Sequence, residues 1–309
     1  MKFQLATSIL TAAMAVAGCD APGGQSDTTP ARASSTAGAA DQTSVEAKGN
    51  NLDVNADAEL NKEAPPPAPT VLYVIYGKDG DGATTYDIGG HSVVSFWVDH
   101  SFKLGGRQYY TGFAQETPVK YGDPPRAEDP TEGVNLTAAT FELVAPGTEK
   151  PWRFLGAEMS IGTIGTMGKN VPFDRSRKVQ QYKVDDHRLL LAIPTRSEPG
   201  TGSIMLQVAL FTFDAPKPGA VDHDHLWQYV GSIEAGSNSA PQCKENANLP
   251  CVEWTADVQF EPNGKDWPEI AVIKQGTEID DMTGDARTLT ANDNSHYIYD
   301  SAEKKYRHK

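Results

Sequence analysis

From Val71 to the C-terminus the chain is cut every few residues by Gly, Pro, Asn or Asp, and the runs between the cuts are rich in β-branched and aromatic residues. Short β-prone runs bounded by turn formers do not build a helical bundle or a parallel βα array. The runs are 71–76, 92–98, 108–113, 137–144, 178–184, 188–193, 203–213, 226–233, 253–260 and 270–273. Within 203–213, Val208, Leu210 and Thr212 share one side, and Ala209, Phe211 and Phe213 the other. No window of a dozen residues carries a helical stripe. About ten to thirteen strands are expected over the 239 residues from 71 to 309. The pattern predicts an all-β fold: an antiparallel sandwich or barrel-like body, or a small propeller, although no regular period marks propeller blades. A Pro-Gly-rich bridge at 215–222 suggests two packed β subdomains, 71–214 and 215–309, with one long loop inside a single sheet system as the alternative.

Upstream the composition changes. After Met1-Lys2, residues 3–17 are uncharged and apolar, a signal-peptide stretch too short to remain as a membrane-spanning helix. It ends in Val16-Ala17-Gly18-Cys19, which resembles the lipobox of bacterial lipoproteins at all four positions. The resemblance implies a signal peptide of residues 1–18, cleavage before Cys19 and diacylation of the Cys19 thiol. It also implies attachment to the inner or outer membrane of a bacterial envelope, with the domain in the periplasm. Each buried methylene contributes roughly 0.8 kcal/mol, so two or three acyl chains make a stable anchor, and the membrane is met through lipid alone. Residues 19–70 contain no aromatic side chain and cannot bury enough apolar area to offset their conformational entropy. They are expected to form a disordered linker with a reach of about 35–40 Å. It would end in a stiffer polyproline spacer, Ala64-Pro65-Pro66-Pro67-Ala68-Pro69.

Charge narrows the partners. The chain carries 27 Lys and Arg against 41 Asp and Glu, a net charge of -14. A field of that sign repels phosphate backbones and anionic headgroups, which excludes nucleic-acid binding. Residues 71–309 hold 23 basic and 33 acidic side chains, so the folded part is itself acidic at -10 and suits a basic protein partner.

With Cys19 assigned to lipid, Cys243 and Cys251 remain, eight apart, and in an oxidising compartment they are expected to form a disulfide that closes a short polar loop. Such a bridge contributes about 2–3 kcal/mol. The stretch Gly77 to Asp87 resembles part of a calcium loop, with Asp79, Asp81 and Asp87 at positions one, three and nine. Ala83 offers no ligand at position five, so an Asp-Gly hairpin turn is favoured and calcium is the alternative. No cofactor is required. Asp222-His223-Asp224-His225 gathers metal-ligand types, and in an extended strand His223 and His225 would point the same way, as zinc or copper chelation needs. An exposed loop of solvated histidines is the favoured reading. Ser92 sits in half of a nucleophile elbow whose second Gly is missing and whose following segment reads as strand. Gly162, Gly165 and Gly168 read as turns or bulges beside a packed strand rather than a phosphate loop. The five Trp and eleven Tyr are expected mostly in the core, with a sugar-binding surface as the alternative and Trp267, Tyr297 and Tyr299 as its candidates.

Two function classes follow. Gly105-Gly106-Arg107-Gln108-Tyr109-Tyr110 resembles the small-Gly-x-x-Tyr stretch of bacterial periplasmic lysozyme inhibitors, some of which are lipoproteins; it spans six residues and begins with Gly where the family usually has Ser. The resemblance implies a protein-binding module, an inhibitor or immunity protein against a basic cell-wall hydrolase, with Gly105, Gly106 and Tyr109 as contacts. A plain hairpin turn explains the same residues. The rival is a periplasmic hydrolase or glycan-processing enzyme using carboxylates such as Glu158, Asp185 or Asp186 as acid and base. A structural envelope lipoprotein is a third reading. The anchor has a direct test: replacing Cys19 with Ser is expected to release the protein from the membrane fraction, and unchanged membrane association contradicts lipidation.

Overall fold

The stretch 71–76, expected as the first strand, is helical. A computed structural model of the protein describes residues 60–309 except 91, 119–128, 130, 199–202, 217–224, 246–249 and 265, and the described residues all belong to one unit, Asn50–Lys309. The lipobox and most of the expected linker lie outside the described residues. Its first helix, α1 (Ala68–Tyr76), has a proline in its opening turn, where the missing N–H costs nothing. It stops at Gly77, which adopts the left-handed conformation (φ 67°) and donates its N–H to the Tyr73 carbonyl at 2.8 Å. Val71, Leu72 and Ile75 form a buried stripe along one side. At nine residues the helix is too short to register in a dozen-residue window, and β-branched residues disguise it as strand.

A five-stranded antiparallel sheet receives that stripe. It is a meander of β1 (Thr85–Gly89), β2 (Ser92–Leu104), β3 (Arg107–Pro118), β4 (Val134–Leu143) and β5 (Trp152–Ile164), ordered 1-2-3-4-5. Val71, Leu72 and Ile75 pack on Tyr110, Ala114, Ala139 and Phe141. Gly112 of β3 permits the close approach, since a Cβ there would lie 2.7 Å from the Val71 side chain. Burying three such side chains contributes roughly 1.5–3 kcal/mol each.

The second sheet has nine strands. Its path is β14 (Lys305–His308), β13 (Ser295–Asp300), β11 (Glu269–Ile279), β10 (Glu253–Glu261), β9 (Trp227–Asn238), β8 (Ile204–Asp214), β7 (Arg188–Ser197) and β6 (Gln180–Lys183), with β12 (Ala286–Thr288) paired to β11. Both sheets are open, so the architecture is a sandwich rather than a closed barrel or a propeller. The larger sheet folds over on itself. One face of β7–β9, with Leu189, Leu191, Ile193, Ala209, Phe211, Phe213 and Trp227, meets β2–β5 of the first sheet. The other face, with Leu190, Ala192, Val208, Leu210, Val230 and Ile233, meets Val258, Ile270 and Val272 of β10 and β11. The order of layers is therefore α1, first sheet, β6–β9, β10–β14.

Burial on both faces explains the apolar runs 189–193 and 208–211: a strand between two layers has no polar side to show. The turn-over comes at β9–β10, where only Glu253, Thr255 and Trp254 pair with Asn238, Gly236 and Ser237. A short helix, α2 (Ala240–Glu245), and the Cys243–Cys251 disulfide (Cα–Cα 5.3 Å) span this corner. Ser239 fastens it, its N–H donating to the Val252 carbonyl at 2.9 Å and its Oγ accepting from Val252 N–H at 3.0 Å.

The expected subdomain boundary at 214/215 falls between β8 and β9, neighbours paired over ten residue pairs in one sheet, so it divides neither layer nor core. The change of sheet occurs between β5 and β6 instead. The linker also needs correction at its end: residues 60–70 belong to the folded body, held by hydrogen bonds rather than apolar burial. Asn61 N–H donates to Gln108 Oε1 at 2.7 Å, and Trp152 Nε1 donates to the Ala64 carbonyl at 2.8 Å. Leu72→Ala is expected to lower unfolding free energy by about 2–5 kcal/mol, read from the denaturant midpoint; an unchanged midpoint contradicts the docking of α1.

Candidate functional site

The inhibitor-like motif resolves into a hairpin. Gly105 and Gly106 form the β2–β3 turn with φ of 55° and 76°, and the turn sits so close to the β6–β7 loop that a Cβ on Gly105 would approach the Asp186 carbonyl to 2.5 Å. Tyr109 is fully buried, its ring 5.3 Å from that of Phe102 and 5.4 Å from that of Phe213, and burial pushes its hydroxyl up to about 12. The role expected for Tyr109 as a partner contact is therefore corrected: alternation along β3 turns it inward between Phe102 and Phe213.

The acidic segment is also a turn. Asp81 and Gly82 occupy the two central positions with φ of 52° and 83°, and Ala83 N–H closes on the Gly80 carbonyl at 2.9 Å. It joins α1 to β1 rather than two strands. The Asp79 carboxylate accepts from Asp81 N–H at 2.9 Å and that of Asp87 from Gly89 N–H at 2.5 Å, so each serves its own backbone. Among the described residues no group of three or more His, Cys, Asp and Glu is placed to hold a metal ion. His223 lies outside the described residues. Ser92 opens β2 as an ordinary strand residue. Trp227 and Trp254 are buried in the core, whereas Trp267, Tyr297 and Tyr299 are half-buried over the second core.

Of the carboxylates expected for catalysis, Asp185 is spent on the β6–β7 turn. Partial burial opposes its ionisation, but donors from the His187 backbone and from Arg188, at 2.8–2.9 Å, hold it below its ordinary value. Glu158, on β5, is different. It crosses to the start of β9 and accepts from Leu226 N–H at 3.0 Å and Trp227 N–H at 3.1 Å, with His225 Nδ1 at 3.3 Å. Burial raises its pKa despite those three partners. The His225 side chain is 68% exposed, so the pair orients an imidazole at the surface.

A shallow pocket of about 140 Å³ is lined by Ser95, Trp97, Gln115, Asn170 and Val171. It is smaller than the roughly 300–1,000 Å³ of typical small-molecule sites. Gln115, one of its lining residues, exchanges two 2.9 Å hydrogen bonds with the Val171 backbone.

The most prominent feature was not recognised in the sequence: the hairpin of β11 and β12. Asp280 N–H donates to the Asp285 carbonyl and Gly284 N–H to the Asp280 carbonyl, both at 2.8 Å. The Asp280 carboxylate caps Met282 and Thr283 N–H at 2.9 and 3.0 Å, which holds it below its usual range. At the tip Met282 stands 96% exposed, with Ile279 39% exposed behind it. The segment 278–288 carries Glu278, Asp280, Asp281 and Asp285 against the single cation Arg287. Arg287 fixes the base by pairing with Glu278 across the hairpin and with Asp293, whose carboxyl it draws far below the usual range. The hairpin is thus an internally hydrogen-bonded, anionic turn with an exposed apolar residue. The signal available in the sequence was Asp280-Asp281-Met282-Thr283-Gly284-Asp285, a turn composition around an apolar residue.

No protein-family model matches the chain, and comparison with curated proteins and with solved structures gives no match.

Glu158→Gln keeps an acceptor for the two amides and removes the buried charge, so it is expected to keep the wild-type melting temperature or raise it near neutral pH. Glu158→Ala orphans both amides and is expected to cost about 1–3 kcal/mol. The pH sign follows from the raised pKa: folding holds the Glu158 proton more tightly, so this group's contribution to stability falls as pH rises above its ordinary value of 4.5. Glu158→Gln loses that slope. Identical pH profiles for wild type and Glu158→Gln contradict the buried-charge account.

Proposed function

We propose that this chain is a membrane-anchored envelope lipoprotein that acts as a protein-binding module, an inhibitor or immunity protein for a basic partner such as a cell-wall hydrolase. The observation that carries the reading is the β11–β12 hairpin, a pre-formed loop with an apolar residue 96% exposed among carboxylates. A turn already hydrogen-bonded in the free protein binds with a smaller ordering cost, and methionine adapts to irregular apolar recesses. The three carboxylates of the turn, Asp280, Asp281 and Asp285, steer a cationic surface towards it, in keeping with the -10 charge of residues 71–309. The lipobox supports the envelope location. A periplasmic hydrolase is the second reading, favoured by the surface imidazole of His225 held by Glu158.

The test places a photo-crosslinking residue at position 282 of the lipidated protein in its own envelope and assays purified lysozymes and amidases for inhibition. The proposal expects one crosslinked basic protein. Its association rate should fall steeply with salt and at least tenfold in Asp281→Lys/Asp285→Lys. No crosslinked partner and no inhibition, or binding indifferent to both changes, contradicts it.

A further inference from the structure

The Pro-rich segment expected as a free spacer lies on the protein as a ligand would. Two strands of the first sheet and the β4–β5 loop hold residues 61–64. The buried Gln108 side chain pairs with Asn61 as a strand would, accepting from its N–H at 2.7 Å and donating to its carbonyl at 3.1 Å. Gly147 N–H donates to the Glu63 carboxylate at 2.8 Å. The Trp152 indole donates to the Ala64 carbonyl at 2.8 Å.

The two anchored carbonyls are three residues apart, the repeat of a polyproline II helix, so they share one edge of such a helix. Pro67 carries φ -69° and ψ 157°, within that conformation. Asn61, Ala64, Pro65 and Pro67 are themselves exposed. The grip is therefore on backbone carbonyls and one carboxylate, not on buried side chains.

Trp152 belongs to an aromatic row. Its ring lies 6.0 Å from Tyr110, Tyr110 lies 6.1 Å from Phe141, and Phe141 lies 5.5 Å from Phe154, which is 47% exposed. Phe154 is two residues from Trp152 on the same face of β5, so it adds an exposed aromatic ring beside the anchoring tryptophan. Tyr110 and Phe141 lie buried beneath α1, so Trp152 and Phe154 are the rings at the surface; an indole N–H aimed at a carbonyl of an extended Pro-rich strand beside an open aromatic ring is a contact of the polyproline-recognition kind.

We propose that Gln108, Gly147, Trp152 and Phe154 form a docking site for a proline-rich extended segment of a partner protein, and that residues 61–67 occupy it in cis as a competitor. The site reads an acidic residue through Gly147 N–H and carbonyls one polyproline turn apart. The chain's own strap satisfies the carbonyls and the acid and leaves Phe154 half bare, which a longer Pro-rich ligand would cover. The proposal is independent of the β11–β12 hairpin.

The probe is a labelled synthetic peptide with the sequence of residues 60–70, titrated into the full chain. In Pro65→Gly/Pro66→Gly the strap loses its pre-set backbone, and the peptide is expected to bind at least tenfold more tightly than to wild type, where the tethered strap competes at high effective concentration. Adding Trp152→Phe, which keeps an aromatic side chain and removes the indole N–H donor, is expected to erase that gain. If the glycine variant does not fold, Glu63→Ala removes only the Gly147 bond and provides the same comparison. Equal affinity for wild type and loosened chains, a gain that survives Trp152→Phe, or strap-exchanged dimers in place of peptide binding overturns the proposal.

Discussion

The two sheets depend on one indole. Trp227, at the start of β9, is 1% exposed, and its Nε1 donates to Thr111 Oγ1 at 3.2 Å and Thr140 Oγ1 at 3.1 Å, on two neighbouring strands of the opposite sheet. Its ring meets those of Phe102, Phe113 and Phe213 at 4.9–5.8 Å. Its backbone N–H is taken by Glu158, which also comes from the opposite sheet. A buried donor is costly to leave unmade, so these bonds select one register between layers that hydrophobic burial alone would leave free to slide. Everything outside this junction is arranged on the two sheets it aligns.

The sequence made the strands of the middle layer legible because they are buried on both faces. The two apolar sides of residues 208–213 were visible as alternation, and each side meets a different core. Elements that break local rules were harder to read. β5 escaped notice because Gly156, Ala157 and Gly162 dilute its β character, and two register shifts against β4 destroy its alternation. The helix α1 was hidden by Val71, Val74 and Ile75, whose β preference yields to a proline start, a glycine stop and an apolar sheet to cover.

Site residues followed the same division. Turn chemistry was readable at Asp81-Gly82 and at Gly105-Gly106, and the disulfide from the spacing of Cys243 and Cys251. Tyr109 was misplaced because a six-residue motif does not say which face of a strand looks inward. The reach of Glu158 to Leu226 and Trp227 spans 68 and 69 residues, and that pairing has no local signature. The proline strap reads as linker because all its bonds to the sheet except that of the Glu63 carboxylate use its own backbone atoms, which every sequence possesses.

The central claim is that the Trp227 indole and the two threonines act as a single junction between sheets. A double-mutant cycle measures it, with Thr111→Val/Thr140→Val as one arm and Trp227→Phe as the other, read by chemical denaturation. The account predicts strong non-additivity. Trp227→Phe should cost clearly less in the valine background, where the indole N–H already lacks acceptors, than in wild type, with a coupling of about 1 kcal/mol or more. Additive losses would contradict it.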